Sequence, residues 1–136
     1  MRVKKFNLVV KHKISSFSKS IFVDSDKSLS IRSFLIGSIC QGTSIANNVL
    51  ESEDVKSAIS VCRILGIKIK KVKHKTYKIY GKGLGSFSAK KNSVLNFNNS
   101  GTLCRLITGI ISTTPNIEVK IKGDQSLNKR NMKKLI

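Results

Sequence analysis

The sequence predicts an α/β fold made of recurring helix-plus-strand units. Three observations carry that expectation. Apolar residues recur at helical spacing in stretches that begin with capping residues, they alternate with lysine in other stretches, and the two kinds interleave in the order β, α, β, α, β, β, β, α, β, α. With 136 residues, 40% of them hydrophobic and no Trp, the chain can bury one modest core but not two. The same apolar content excludes a disordered basic tail, and one Pro with nine Gly excludes collagen-like or low-complexity sequence.

Taken in order, Phe6 to Val10 is β-prone, and a polar Lys/Ser stretch separates it from the apolar run Ile21-Phe22-Val23. Between Ser30 and Gln41 the residues Ile31, Phe34, Leu35 and Ile39 repeat at helical spacing. Asp26 and Ser28 are capping types ahead of that helix, and Gly42 is expected to stop it. Thr43 to Val49 is β-prone. Ser52-Glu53-Asp54 opens a second helix with Val55, Ile59, Cys62, Ile64 and Leu65 on its apolar side, stopped by Gly66. Ile67 to Lys73 and Thr76 to Tyr80 alternate as strands joined at His74-Lys75. Their alternation buries one face and leaves Lys68, Lys70, Lys73 and Lys78 in water.

Gly81 to Gly85 then reads as a loop and Ser93 to Phe97 as a short strand. Asn98 to Thr102 leads into a helix carrying Leu103, Leu106, Ile107, Ile110 and Ile111 on one face, broken by Pro115 and Asn116. Ile117 to Ile121 alternates as a strand, and Gly123 to Asn131 opens a last helix. The sequence stops barely a turn into it. So short a helix is marginal without packing partners, which predicts an incomplete domain.

The 26 Lys and Arg outnumber the 7 Asp and Glu, giving a net charge of +19. Of these cations 21 are Lys and five are Arg, and the chain is also rich in Ile, Asn and Ser, so most of the charge reads as a residue-usage bias. Such a charge attracts polyanions, and a basic nucleic-acid-binding domain is the alternative reading. Nothing else supports it: the arginines are not clustered, the aromatics are not interleaved with cations, and no helix-turn-helix or zinc spacing appears. Cys40, Cys62 and Cys104 stand 22 and 42 residues apart with only two His in the chain, which predicts no metal site and reduced thiols buried in the core. No apolar run approaches the ~18 residues that span a bilayer and no signal peptide is evident, so a cytoplasmic protein away from membranes is expected.

Three loop-to-helix segments place cations beside open backbone N–H groups. In Asp26-Lys27-Ser28-Leu29-Ser30-Ile31-Arg32, an ammonium, a hydroxyl and a guanidinium share the first turns of a helix, whose amino terminus itself favours anions. The plainer reading is a capping Ser with two surface cations. In Asn98-Asn99-Ser100-Gly101-Thr102-Leu103-Cys104-Arg105, Gly101 permits close approach, Asn99 and Thr102 offer hydrogen bonds, and Arg105 follows one turn on. Its plainer reading is an ordinary capping turn. The third segment, Gly123 to Met132, carries Arg130 near a helix start, or simply a solvated Lys/Arg pair. Three of the five arginines fall in these segments, in a chain that otherwise uses Lys; Arg supplies bidentate anion geometry that Lys cannot.

Together the segments resemble a known family. Asp-Lys-Ser-x-Ser-x-Arg at 26–32, Leu-Glu-Ser-Glu-Asp at 50–54, Leu-Gly-Ile at 65–67, Asn-Ser-Gly-Thr-x-x-Arg at 99–105 and Gly-Asp-x-Ser-Leu-x-x-Arg at 123–130 are similar, in order and spacing, to the amino-terminal part of the 5-enolpyruvylshikimate-3-phosphate synthases. The likeness covers about residues 20–136. Lys27-Ser28 favours this family over the UDP-N-acetylglucosamine enolpyruvyl transferases, which have Lys-Asn there.

The resemblance implies repeated βαβαββ units of an inside-out α/β barrel, helices inside and sheets outside. Residues 1–20 would be a leading strand and linker that packs with the other domain, and 21–136 an incomplete amino-terminal domain. It implies transfer of the enolpyruvyl group of phosphoenolpyruvate to the 5-hydroxyl of shikimate 3-phosphate, with release of phosphate, no metal or cofactor, and a monomer when complete. Lys27 would contact both substrates, Ser28 and Arg32 shikimate 3-phosphate, and Gly101 and Arg130 phosphoenolpyruvate, with Asn99, Thr102 and Arg105 in support; Lys27 and Arg130 would be catalytic. The family's proton-transferring acid and further arginines have no counterpart in these residues, so the chain alone is expected to be inactive. Ile31, Asn98 and Asn131 depart from the usual His or Asn, Gly and Pro, and loss of that Pro should weaken helix initiation near Arg130. A non-catalytic remnant would show the same departures.

Overall fold

A computed structural model describes residues 7–9, 11, 16, 18, 20, 21 and 23–131. Phe6, Val10 and Phe22 lie outside the described residues; residues 7–9, Ile21 and Val23 are described and form no strand, contrary to expectation, with Leu8, Val9, Ile21 and Val23 exposed and unpaired with any sheet. Helix α1, Lys27–Ile39, starts earlier than its apolar repeat because Asp26 holds the cap, its carboxylate accepting the Leu29 N–H at 2.7 Å. Ser28 therefore lies inside the first turn. The helix also ends earlier than expected. Cys40 is extended and strand β1 occupies Gln41–Ala46, so Gly42 sits in a strand and does not stop a helix.

The strand displaces the end of the helix because it finds a partner. β1 pairs antiparallel with β3, Thr76–Lys82, and β3 pairs antiparallel with β2, Lys68–Lys73, giving a three-stranded sheet of order β1-β3-β2. β3 runs through Gly81, which was expected in a loop. At this point the sheet touches the carboxyl end of α1, and a Cβ on Gly81 would run into the carbonyl oxygens of Gly37 and Cys40. One turn back, a Cβ on Gly37 would lie 2.9 Å from Ile79 Cδ1. Two glycines thus set how closely α1 lies on the sheet.

Helix α2, Glu53–Ile64, follows the expected start, with Glu53 and Asp54 complementing its dipole. It is closed by Gly66 in the left-handed region at φ +85°. Ile64 is half exposed at its end. Strict alternation fails in β2: a bulge between Lys71 and Lys73 leaves Val72 in solvent, because two consecutive lysines break the period there. Lys68, Lys70 and Lys73 face water as expected, whereas Lys78 is half-buried with its ammonium 5.4 Å from the Tyr80 ring centre.

β4, Val94–Asn96, pairs parallel with β5, Lys120–Lys122, around helix α3, Gly101–Ile111. β5 is shorter than the expected strand from Ile117, since β4 offers only three residues to pair with; Ile117 and Val119 instead rest against the core. Helix α4 is a single turn, Gln125–Asn128, capped by Asp124. The fold is α/β as expected. Its core gathers α1, α2, α3 and β3 around Phe34, whose ring meets Tyr77 edge-on at 5.3 Å. Cys62 and Cys104 are buried there, with burial pushing the Cys62 thiol up to about 11, but Cys40 is exposed because it lies just past the end of α1.

Candidate functional site

The amino-terminal ends of the four helices are bonded to one another. Ser30 ties the first pair: its hydroxyl donates to Asp26 O at 2.7 Å and accepts the Leu50 N–H at 2.9 Å, pinning the approach to α2 against the start of α1. Lys27 then reaches across to Asp54 in the first turn of α2, Nζ to Oδ2 2.8 Å. α2 is joined in turn to the loop before α3, where Asn98 Nδ2 donates to Ser57 Oγ at 2.8 Å. That loop holds the start of α4 through the Asp124 N–H, which donates to Asn98 O at 2.9 Å. The entrances of the four helices thus form one bonded edge, at which the longer helices α1, α2 and α3 present their positive ends.

Of the residues expected at a site, the structure brings Gly101 and Arg130 together. A Cβ on Gly101 would lie 2.8 Å from Arg130 Nη1, so the missing side chain is what lets the guanidinium rest on the first turn of α3. Lys27 is half exposed and anchored by Asp54. Ser28 and Thr102 are half-buried in the first turns of α1 and α3, and Asn99, Arg32 and Arg105 are exposed. An open recess of about 740 Å3 adjoins this edge, lined by Asp124, Gln125, Ser126, Lys129 and Arg130. A second cleft of about 490 Å3, beside Val23, Leu29, Ile45 and Val49, carries the carboxylates of Asp24 and Asp26 and no cation, which unsuits it to anions. Among the described residues no group of three or more His, Cys, Asp or Glu could hold a metal.

Two of the family departures have physical explanations. Ile31 is completely buried, so an apolar side chain at that position extends the core. Asn98 has φ +48°, a left-handed conformation that Gly adopts freely and Asn tolerates better than other residues. Asn131 follows α4, which ends at Asn128, and any helix that a Pro at 131 would start falls on 132–136, outside the described residues. In the sequence Ser57 has no assigned role, Asp54 has only a place at the start of α2, and Asn98 only a place in a capping turn where the family has Gly. Asp54 is signalled by the acidic start of α2 and by the Leu-Glu-Ser-Glu-Asp motif, neither of which points to Lys27 as its partner.

The segment feeding α2 is braced from the other side. Glu51 accepts hydrogen bonds from Lys71 Nζ at 2.6 Å and from the Tyr77 hydroxyl at 2.7 Å. These bonds, that of Lys71 foremost, hold its carboxyl at about 2, below the ordinary 4.5. The folded value is the lower one, so on acidification the unfolded chain takes up the proton first. The brace therefore contributes fully above pH ~4.5, fades as the pH falls, and is gone below about 2. Thermal melts of the parent and Glu51→Gln should differ at pH 7 and converge near pH 2; a gap that persists there would refute the brace.

A sequence model of EPSP synthase (3-phosphoshikimate 1-carboxyvinyltransferase) matches residues 11–136. The chain belongs to the EPSP synthase family. It is 40% identical over 116 residues to the 3-phosphoshikimate 1-carboxyvinyltransferase of Syntrophomonas wolfei, covering 85% of this chain and 26% of that protein. With the enzyme of the same name from Alkaliphilus oremlandii it shares 39% identity over 126 residues, 93% of this chain and 29% of the relative. The structure superposes on EPSP synthase from Acinetobacter baumannii with a TM-score of 0.75 and 34% identity, over 83% of this chain and 25% of that one. The chain thus spans about a quarter of the length of the EPSP synthases it matches. Among the described residues no helix is long and apolar enough to cross a membrane.

Proposed function

We propose that this chain supplies the helix-entrance part of a 3-phosphoshikimate 1-carboxyvinyltransferase site, which transfers the enolpyruvyl group of phosphoenolpyruvate to the 5-hydroxyl of shikimate 3-phosphate and releases phosphate. The observation that carries the reading is Arg130 resting on the bare Gly101 turn, on the same bonded edge as Lys27. Both substrates carry phosphate and carboxylate groups, and converging cations with open N–H groups are what such ligands require. Lys27 contacts both substrates, Ser28 and Arg32 hold shikimate 3-phosphate, and Gly101 and Arg130 hold phosphoenolpyruvate with Asn99, Thr102 and Arg105 around them. Residues 21–136 form an incomplete amino-terminal domain of a cytoplasmic enzyme, monomeric when complete. Alone they bind without turning over.

Titrating the labelled chain with each substrate, followed by amide shifts, tests this. Shikimate 3-phosphate should move Lys27, Ser28 and Arg32, and phosphoenolpyruvate should move Gly101 and Arg130. Lys27→Ala should weaken both ligands on the order of 10-fold, the scale of a charge-assisted hydrogen bond. Shifts scattered over the lysine-rich strands, or salt-sensitive DNA binding with no effect of either ligand, would overturn the reading. So would phosphate release from the chain alone, for the claim of inactivity.

A further inference from the structure

We infer that Asn98 is a positioning residue which, through Ser57, sets where Arg130 lies against Gly101. The inference rests on the assignment of Gly101 and Arg130 to phosphoenolpyruvate, but its structural half is independent of any ligand. Asn98 occupies a left-handed turn at φ +48° between β4 and α3, and three groups of this one residue are engaged. Its N–H donates to Asn96 Oδ1 at 3.0 Å, its side-chain amide donates to Ser57 Oγ at 2.8 Å, and its carbonyl accepts the Asp124 N–H at 2.9 Å.

From Asp124 the connection to Arg130 is short and stiff. The Asp124 carboxylate accepts the Leu127 N–H at 2.7 Å, its carbonyl accepts the Asn128 N–H at 2.9 Å, and the Arg130 N–H bonds to Leu127 O at 3.0 Å. Leu127 is buried and packs over Gly123, where a Cβ would lie 2.9 Å from Leu127 Cβ. The single turn of α4 therefore moves as a unit with Asp124, and Asp124 is held by Asn98. On the other side Ser57 is buried in α2 and its proton is committed to Glu53 O at 2.9 Å. With its proton so placed, Ser57 Oγ accepts, and the group facing it donates. An amide does so; a carboxylate cannot.

That asymmetry isolates the latch from the turn. Asn98→Asp keeps the shape and tolerates the left-handed backbone, but its carboxylate has no proton to donate and can hold Ser57 only by drawing the hydroxyl proton away from Glu53 O. Asn98→Gly keeps the backbone and removes the amide. Ser57→Ala removes the acceptor, and Ser57→Thr restores it. We expect Asn98→Asp, Asn98→Gly and Ser57→Ala each to shift the Gly101 amide and Arg130 Nε signals in 15N spectra of this chain. Each should raise the Kd for phosphoenolpyruvate on the order of 5-fold, the scale of one hydrogen bond. Ser57→Thr should match the parent, and Ser57→Ala should add nothing to Asn98→Gly.

Unchanged Gly101 and Arg130 signals in Asn98→Gly would overturn the latch, as would additive effects in the double variant. If the parent binds no phosphoenolpyruvate, the functional reading falls, and the two signals alone decide the latch: moved by Asn98→Gly and Ser57→Ala they support it, unmoved they refute it.

Discussion

A Gly81→Ala chain is expected to lose its cooperative unfolding transition, although the substitution adds one methyl group. The added carbon is directed at the carbonyl oxygens of Gly37 and Cys40. Both are backbone atoms at the end of α1, so no rotamer change moves them aside. Relief requires lifting α1 off β3, which uncovers Ile31, Phe34 and Leu35, all essentially buried. Overpacking a core side chain costs roughly 1–3 kcal/mol, and a clash with fixed backbone exceeds that range. Set against the ~5–15 kcal/mol that holds a whole domain together, most of the stability goes. Gly42→Ala is the control: nothing lies within 4 Å of its Cβ, and only its φ of +90° is strained. It should cost about 1–2 kcal/mol. Urea denaturation followed by circular dichroism separates the two, and equal midpoints would refute the close-approach argument.

The second large effect is expected at Phe34. Its side chain is fully buried and its ring meets Tyr77 edge-on with an interplanar angle of 80°. Phe34→Ala should cost about 3–5 kcal/mol through lost burial and the cavity left behind. Loss of the ring also frees Tyr77, whose hydroxyl bonds Glu51, so the variant should lose part of the acid-sensitive brace as well. Phe34→Leu should lose less stability and keep more of the pH dependence. A Phe34→Ala chain within 1 kcal/mol of the parent in urea titration would contradict the packing described.

Most elements were legible because their signals are local. The cap at Asp26, the start of α2 at Ser52-Glu53-Asp54 and the stop at Gly66 are chemistry of one turn, and the apolar faces of α2 and α3 follow helical spacing. The errors arose where a distant strand decided the outcome. Gln41 and Gly42 read as the end of a helix until β3 supplies a partner, and Gly81 reads as a loop until α1 lies on it. The alternation of β2 fails at the Lys70-Lys71 doublet, and only the fold shows that Lys71 there meets Glu51, twenty residues earlier in sequence. The site divides in the same way. Lys27, Ser28, Gly101 and Arg130 lie in recognisable motifs, whereas Asp54, Ser57 and Asn98 carry roles that exist only once helix ends from separate parts of the chain meet.

Leu29 and Ile36 lie two turns apart on the side of α1 turned away from the core, 68% and 56% exposed, and Leu29 shares the apolar cleft with Ile45 and Val23. Bringing two such surfaces together would bury apolar area, and the +19 charge opposes their approach. The opposition is long-ranged only in dilute buffer, since the Debye length shrinks from about 30 Å at 0.01 M salt to about 10 Å at 0.1 M. The lysines on the strand faces thus serve colloidal stability, a protection that added salt weakens while the apolar area on α1 stays the same.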